Sequence, residues 1–116
     1  MMHRSPDVEA DIYFLPPERG GRPVPAHSGY RPAHKVREDY LTTGVHTYID
    51  SEQVFPCETA RAFISFITPE LYPHCLWVGR EISVQEGSRV VGSARITKIL
   101  NPILEKTSNK PDGDQE

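Results

Sequence analysis

Apolar and polar residues alternate along several short segments of the chain. Alanine, isoleucine and phenylalanine occupy every second position of residues 10–14 and again of residues 62–66. A period of two is typical of a β-strand with one buried face. Residues 45–49 are rich in β-branched and aromatic side chains, and residues 75–78 form an apolar run; both predict further strands. Residues 42–44, Thr-Thr-Gly, are interpreted as a turn.

A hairpin is the clearest local signal. Residues 82–84 and 90–96 each alternate, and the Glu-Gly-Ser sequence at 86–88 between them is typical of a turn. The even-numbered positions of 90–96 are predicted to share one face of the strand. Among them, Gly92 and Ala94 suit a place where another backbone comes close.

The pattern as a whole predicts an all-β fold. Eleven prolines and eight glycines interrupt the chain at short intervals, so long helices are not expected. Residues 20–35 are predicted to be irregular or an edge strand. About six short strands separated by turns favour an antiparallel barrel or sandwich.

A chain of 116 residues leaves room for one hydrophobic core and therefore for one domain. Residues 107–116 contain no apolar side chain. We predict a flexible N-terminus at residues 1–7, a barrel domain at 8–100 and a disordered polar tail at 101–116.

Composition and charge narrow the function classes. The formal net charge of −3 argues against binding nucleic acid through bulk positive charge. The apolar runs are shorter than a membrane span requires, and the first residues lack the apolar core of a signal peptide, so we expect a soluble, cytoplasmic protein with no membrane partner. Cys57 and Cys75 are too few for a disulfide scaffold and are interpreted as core or surface thiols.

Motifs typical of enzymes are missing from the sequence. We find no phosphate-binding loop, no nucleophile elbow and no zinc-protease motif, and therefore expect no enzymatic activity, no nucleotide and no cofactor. His27, His34 and His46 lack a spacing that would bring them together as metal ligands, and exposed or packed rings are the better interpretation. Cys57 follows a proline in a predicted turn and has no partner to activate it as a nucleophile.

The segment from residue 22 to residue 37 is basic in an otherwise acidic chain. It contains Arg22, Arg31, Lys35 and Arg37 and no acidic residue, and Tyr30 is available to stack on a base. Such a segment suits contacts with phosphates. The alternative is that these side chains face solvent or pair with nearby acids. The acids considered are Glu18, Glu38 and Asp39.

Several motifs carry a resemblance to a known family. Residues 20–22 are Gly-Gly-Arg, residues 29–32 are Gly-Tyr-Arg-Pro, and residues 86–93 are Glu-Gly-Ser-Arg-Val-Val-Gly-Ser, followed by Lys-Ile-Leu at 98–100. In order and spacing these motifs resemble the C-terminal β-barrel domain, domain 3, of elongation factor Tu. The resemblance implies a closed six-stranded antiparallel barrel, here expected to be freestanding because the chain lacks the GTPase domain and second barrel of that factor.

The resemblance also implies the kind of partner. In the family this barrel contacts the T-stem of tRNA, the GTPase domain and the exchange factor elongation factor Ts. Pro23, Ala33 and Gln85 replace residues of the family pattern at candidate RNA contacts. We therefore expect a protein-interaction module, the alternative being a module that binds tRNA-like RNA through residues 22–37. The candidate contact residues are Arg22, Tyr30, Arg31, Lys35, Arg37, Glu86 and Gly87.

Overall fold

The computed structural model describes residues 5–106, which form eight strands and three short 3-10 turns. The strands are β1 (Val8–Phe14), β2 (Ala26–His27), β3 (Ala33–Arg37), β4 (Tyr40–Tyr48), β5 (Gln53–Val54), β6 (Thr59–Phe66), β7 (Glu81–Glu86) and β8 (Arg89–Ile99). The 3-10 turns span Pro17–Arg19, Pro69–Leu71 and Pro102–Leu104. Within residues 5–106, no helix has the length and apolar character that crossing a membrane requires.

Six strands close into an antiparallel barrel in the order β1-β6-β4-β3-β7-β8. Strand β1 closes it, because Val8 is paired with Ile64 of β6 on one side and with Ile99 of β8 on the other. The predicted closed six-stranded antiparallel barrel is thereby confirmed. Strands β2 and β5 form a separate two-stranded sheet.

Side chains from alternate positions of the strands fill the barrel. Every second residue of β1, from Val8 to Phe14, is buried, as the period of two predicts. The hairpin of β7 and β8 is confirmed, and a Cβ on Gly92 would lie 2.2 Å from the carbonyl oxygen of Tyr13, which explains the small residue there. Val90 was predicted to share a face with Ala94 and Ile96, which are buried; it is exposed instead, because the pairing shifts by one residue between Val84 and Gln85.

Two local predictions were wrong. Residues 42–44 are not a turn but lie inside β4. A Cβ on Gly44 would come within 2.8 Å of the Ile64 and His34 side chains, so this glycine makes room for the barrel interior rather than for a bend. Residues 75–78 form no strand: Leu76 makes a single bridge to Glu105, and the run ends at a turn with Gly79 at φ +97°.

The predicted domain boundaries fall differently at both ends of the barrel. Asp7 was placed in a flexible N-terminus, but its buried carboxylate accepts a hydrogen bond from the amide of Phe66 at 2.7 Å. The predicted tail began at residue 101, but Leu104 is fully buried and its carbonyl accepts from the amide of Leu76 at 2.9 Å. Residues 107–116 and 1–4 of those predictions lie outside the described part of the chain.

Candidate functional site

The motifs at residues 20–22, 29–32 and 86–93 meet at one place on the barrel. Arg22 forms an ion pair and hydrogen bond with Glu86, and the hydroxyl of Tyr30 donates to the same carboxylate at 2.7 Å. Arg89 donates to the other carboxylate oxygen at 3.0 Å. The guanidinium of Arg22 also lies 4.6 Å from the centroid of the Tyr30 ring. We call Arg22, Tyr30, Glu86 and Arg89 the Glu86 cluster.

Glycines bring the members of the Glu86 cluster together. A Cβ on Gly21 would lie 1.8 Å from the carbonyl oxygen of Leu15, so the chain turns back against the end of β1 only with glycine there. This close approach delivers Arg22 to the turn between β7 and β8. Gly87 takes φ +63° in that turn, and its carbonyl accepts from the side chain of Gln85 at 3.1 Å.

Within the cluster, the carboxylate of Glu86 pairs with both Arg22 and Arg89. Burial would raise the pKa of Glu86, but hydrogen bonds from Tyr30, Arg22 and Arg89 outweigh it and lower the pKa. Burial, together with the bond to Glu86, raises the pKa of the Tyr30 hydroxyl. The Arg22 side chain is only 19% exposed. Arg22 therefore pairs with an acid, as one interpretation of the basic segment held, but that acid is Glu86 and not one of the three considered from the sequence.

The remaining basic residues of the segment do not join this cluster. Arg31, Lys35 and Arg37 are exposed. Ala33 pairs with Gln85 beside the cluster, and β3 then runs away from it, so Arg37 lies about 13 Å further along the strand. Its guanidinium donates to the carbonyl of Pro73 at 2.9 Å. The structure brings Arg22, Tyr30, Glu86 and Gly87 together and places Lys35 and Arg37 elsewhere.

A second site, which the sequence did not predict, surrounds Trp77. A cleft of about 340 Å³ opens between the end of β3, the loop after the second 3-10 turn and the last described residues. We call it the Trp77 cleft. Arg80 and Lys106 lie over the Trp77 ring, at 5.0 and 5.1 Å from its centroid. The cleft is lined by Val36, Arg37, Glu38, His74, Cys75, Trp77, Arg80 and Lys106.

The cations of the Trp77 cleft form no ion pair within the described part of the chain. Within residues 5–106, no carboxylate lies within 4 Å of the charged groups of Arg37, Arg80 or Lys106. Burial raises the pKa of the Cys75 thiol, and the positive charges of Arg80 and Arg37 oppose that rise without cancelling it. Cys75 therefore lines the cleft as a protonated thiol at neutral pH, which is not the form that acts as a nucleophile. Both cysteines are free, in agreement with their interpretation as core or surface thiols; Cys57 is exposed and Cys75 is buried.

Exposed apolar side chains lie on the segments that build the cleft. Leu71 and Val78 are 60% and 62% exposed, although both are large aliphatic residues. The 3-10 turns that carry Leu71 and Ile103 contact each other, which joins the two segments into one surface. Exposed large apolar residues of these segments are Ile67, Leu71, Trp77, Val78, Leu100 and Ile103.

Two histidines meet inside the barrel, although the sequence analysis found no spacing that would join them. His34 on β3 and His46 on β4 are fully buried, with their Nε2 atoms 3.0 Å apart. The Nδ1 of His34 is 2.7 Å from the carbonyl oxygen of Ser83, which can only accept, so this nitrogen carries a proton. Neutral His34 then accepts at Nε2 from His46, and His46 accepts at Nδ1 from the hydroxyl of Tyr48 at 3.0 Å.

The histidine chain therefore runs in one direction, from Tyr48 through His46 and His34 to the carbonyl of Ser83. With both rings neutral, this chain satisfies every buried ring nitrogen without placing a charge in the barrel interior. Burial lowers the pKa of His34 to about 4, and burial together with His34 holds the pKa of His46 well below its ordinary value. Period-two alternation through Thr42, Gly44 and His46 was the signal that could have placed His46 inside.

Metal binding has no structural support within residues 5–106, where no group of three or more candidate ligands is arranged to hold an ion. The paired histidines lack a third ligand, and their facing nitrogens already share a proton. No protein-family model matches the chain.

Proposed function

We propose that this chain is a non-enzymatic β-barrel binding module, related to domain 3 of elongation factor Tu, and that its ligand is another protein. One observation carries the proposal: exposed aliphatic side chains, and three cations that form no ion pair with a described residue, occupy adjoining segments around Trp77. An aromatic ring, aliphatic side chains and arginine at one surface are the composition of a protein-binding site.

The relation to that domain is supported by how its motifs are used. Arg22, Tyr30 and Glu86 belong to three separate motifs of the resemblance, and all three contact one another. These contacts give the three motif residues a shared structural role in the barrel. The closed six-stranded barrel is also the architecture that the resemblance implies. The proposed relation therefore concerns the barrel, while the partner is inferred from the surface around Trp77.

Binding of tRNA-like RNA is the second candidate, favoured by the exposed side chains of Arg31, Lys35 and Arg37. Two features weaken it. Arg22 is committed to Glu86, and the net charge of the chain is −3. We expect tRNA to bind more weakly than about 10⁻⁵ M at physiological salt, in the range of non-specific association.

Site-specific photo-crosslinking tests the protein partner. The photoreactive residue p-benzoylphenylalanine is introduced in place of Val78, and as a matched control in place of Val24, which is also exposed. In extracts of the cells that naturally make this protein, we expect a discrete, nuclease-resistant protein adduct from position 78 and none from position 24. The crosslinked protein, identified and purified, should bind the full chain, and Val78→Asp should weaken that binding at least tenfold while Val24→Asp leaves it unchanged.

Titration of labelled tRNA at about 150 mM salt tests the alternative. A dissociation constant below a micromolar would overturn the proposal in favour of RNA, if the affinity also falls steeply with salt and is reduced by Arg37→Gln. So would a position-78 adduct that nuclease removes.

A further inference from the structure

We propose that the Trp77 cleft binds a carboxylate-rich peptide segment of the partner protein, with acidic side chains held by Arg37, Arg80 and Lys106. The inference rests on the proposed function in taking the ligand to be a protein. It adds the site and the chemistry of the segment that the site recognises.

Excess positive charge in a confined place calls for an anion. Arg80 and Lys106 both lie about 5 Å from the same ring centroid, so their charges are within about 10 Å of each other. That separation is comparable to the Debye length at physiological salt, and the repulsion between the two is only partly screened. Glu38 is the one acid that lines the cleft, and it forms no ion pair with a described residue. A bound carboxylate relieves this repulsion and gains charge-assisted hydrogen bonds.

The loop that forms one wall of the cleft is held in place before any ligand arrives. His74 takes φ +62°, a conformation that costs a residue other than glycine about 1 kcal/mol or more. Its amide donates to the carbonyl of Ile103 at 2.8 Å, and its Nδ1 donates to the carbonyl of Glu105 at 2.9 Å. Arg80 donates to the carbonyl of Cys75 within the same loop. A preorganised wall lowers the entropy that binding loses.

The surroundings of the cleft suit a peptide better than RNA. Val78 and Leu71 are more than half exposed, and aliphatic side chains neither stack on bases nor bind phosphates. A volume of about 340 Å³ is near the lower limit of ligand sites and accommodates a few side chains of an extended segment.

Trp77 is the only tryptophan of the chain, so its fluorescence reports directly on the cleft. The probe is the peptide acetyl-Glu-Glu-Leu-Glu-Glu-amide, titrated into the full chain and compared with the peptide in which glutamine replaces every glutamate. We expect the acidic peptide to change the fluorescence saturably, with an affinity that falls as salt rises, and the glutamine peptide to bind at least tenfold more weakly.

Matched lysine variants locate the binding. Lys106→Gln should lower the affinity for the acidic peptide about fivefold, equivalent to about 1 kcal/mol. Lys35 is an exposed lysine outside the cleft, and Lys35→Gln should change this affinity less than twofold. Equal weakening by both variants would overturn the proposal, because it would mean diffuse attraction. Equal binding of the two peptides would overturn it as well.

Other occupants give other results. Tighter binding of a ten-nucleotide oligouridine than of the acidic peptide, lost in Lys106→Gln, would overturn the proposal by assigning the cleft to RNA. A sedimenting dimer that Lys106→Gln dissociates would assign it to a second copy of the chain. If the acidic peptide fails to bind while position 78 still crosslinks to a protein, this inference fails and the proposed function stands; an adduct at position 78 that nuclease removes makes the proposed function itself fail.

Discussion

The Glu86 cluster and the Trp77 cleft combine the same kinds of residue in opposite ways. In the cluster, Arg22 lies on a tyrosine ring and is neutralised by Glu86. In the cleft, Arg80 lies on a tryptophan ring with a lysine beside it, and no described carboxylate pairs with either. The cluster joins two turns of the barrel to each other. The cations of the cleft have no carboxylate partner among residues 5–106.

The contrast shows that a basic motif in the sequence is a poor guide to a binding surface. Arg22 belongs to the most recognisable motif of the basic segment, yet its charge is used within the fold. Arg80 and Lys106 lie outside that segment and keep their charge available. Interaction sites are therefore found by asking which cations lack a partner rather than where cations are dense.

The largest expected effect concerns the interior next to the cluster, where Tyr30 packs edge-on against His46. The pKa of His34 is about 4, whereas its ordinary value is 6.5, so the unfolded chain takes up protons that the folded chain refuses. The free energy of unfolding should fall as the pH drops from about 6.5 to about 4, by about 3 kcal/mol from His34 alone. Urea unfolding followed by circular dichroism at stepped pH measures this.

His27→Gln serves as the control for that prediction, because it removes an exposed histidine and should leave the decline intact. The groups that face the two rings are Tyr30 and Tyr48, with Arg22 and Glu86 behind Tyr30. A free energy of unfolding that stays constant from pH 7 to about pH 4 would contradict the neutral chain of histidines.

The next effect tests whether the cluster holds the fold. Glu86→Gln leaves the guanidinium of Arg22, which is largely buried, without its counter-charge, and should lower the free energy of unfolding by about 2 kcal/mol. Glu81→Gln, an exposed glutamate on the same strand, is the matched control and should cost less than about 0.5 kcal/mol. Similar small losses from both variants would remove the distinction between cluster and cleft.

A smaller effect is expected at the start of the histidine chain. Tyr48→Phe removes the hydroxyl that donates to Nδ1 of His46 and leaves a buried acceptor unsatisfied, at a cost of about 1 kcal/mol. Tyr40→Phe is the control, since the Tyr40 ring packs against Tyr72 and its hydroxyl is not part of the chain. Thermal unfolding of the two variants at pH 7 compares them, and an unchanged stability of Tyr48→Phe would argue against this hydrogen bond.

The smallest effect is expected in the cleft. Lys106→Gln and Arg37→Gln remove exposed charges that no described acid pairs with, so each should change the free energy of unfolding by less than about 0.5 kcal/mol. The same variants should reduce binding of the acidic peptide. If either one destabilised the protein as much as Glu86→Gln does, the cleft would be part of the structural framework and not a site.

The fold could be predicted from the sequence because β1, β6 and the last hairpin show clear alternation with a period of two. That signal failed where the interior required an unusual residue. A Thr-Thr-Gly sequence is typical of a turn, but Gly44 lies in a strand. The His34 ring occupies the space that a side chain at this position would need. Residues 75–78 are apolar like a strand, yet only Cys75 and Leu76 are buried.

The candidate sites were harder to predict, because they depend on contacts between distant residues. Arg22 and Glu86 were both selected, but their pairing across 64 positions follows from barrel closure and the turn at Gly21. The Trp77 cleft needs Lys106 to return to the loop, and residues 101–106 had been interpreted as a tail. Leu104, fully buried, was the apolar signal within that segment.

Closure of the barrel through β1 affects how the chain folds during its synthesis. Both partners of this strand, β6 and β8, are made after it, and Val8 must wait for Ile99 before its second edge is covered. At the pace of a translating ribosome that delay is roughly 5 to 20 seconds, during which an apolar strand with two free edges trails outside the exit tunnel. The barrel therefore closes only after β8 has been synthesised, and the edges of β1 that pair with β6 and β8 stay uncovered until then.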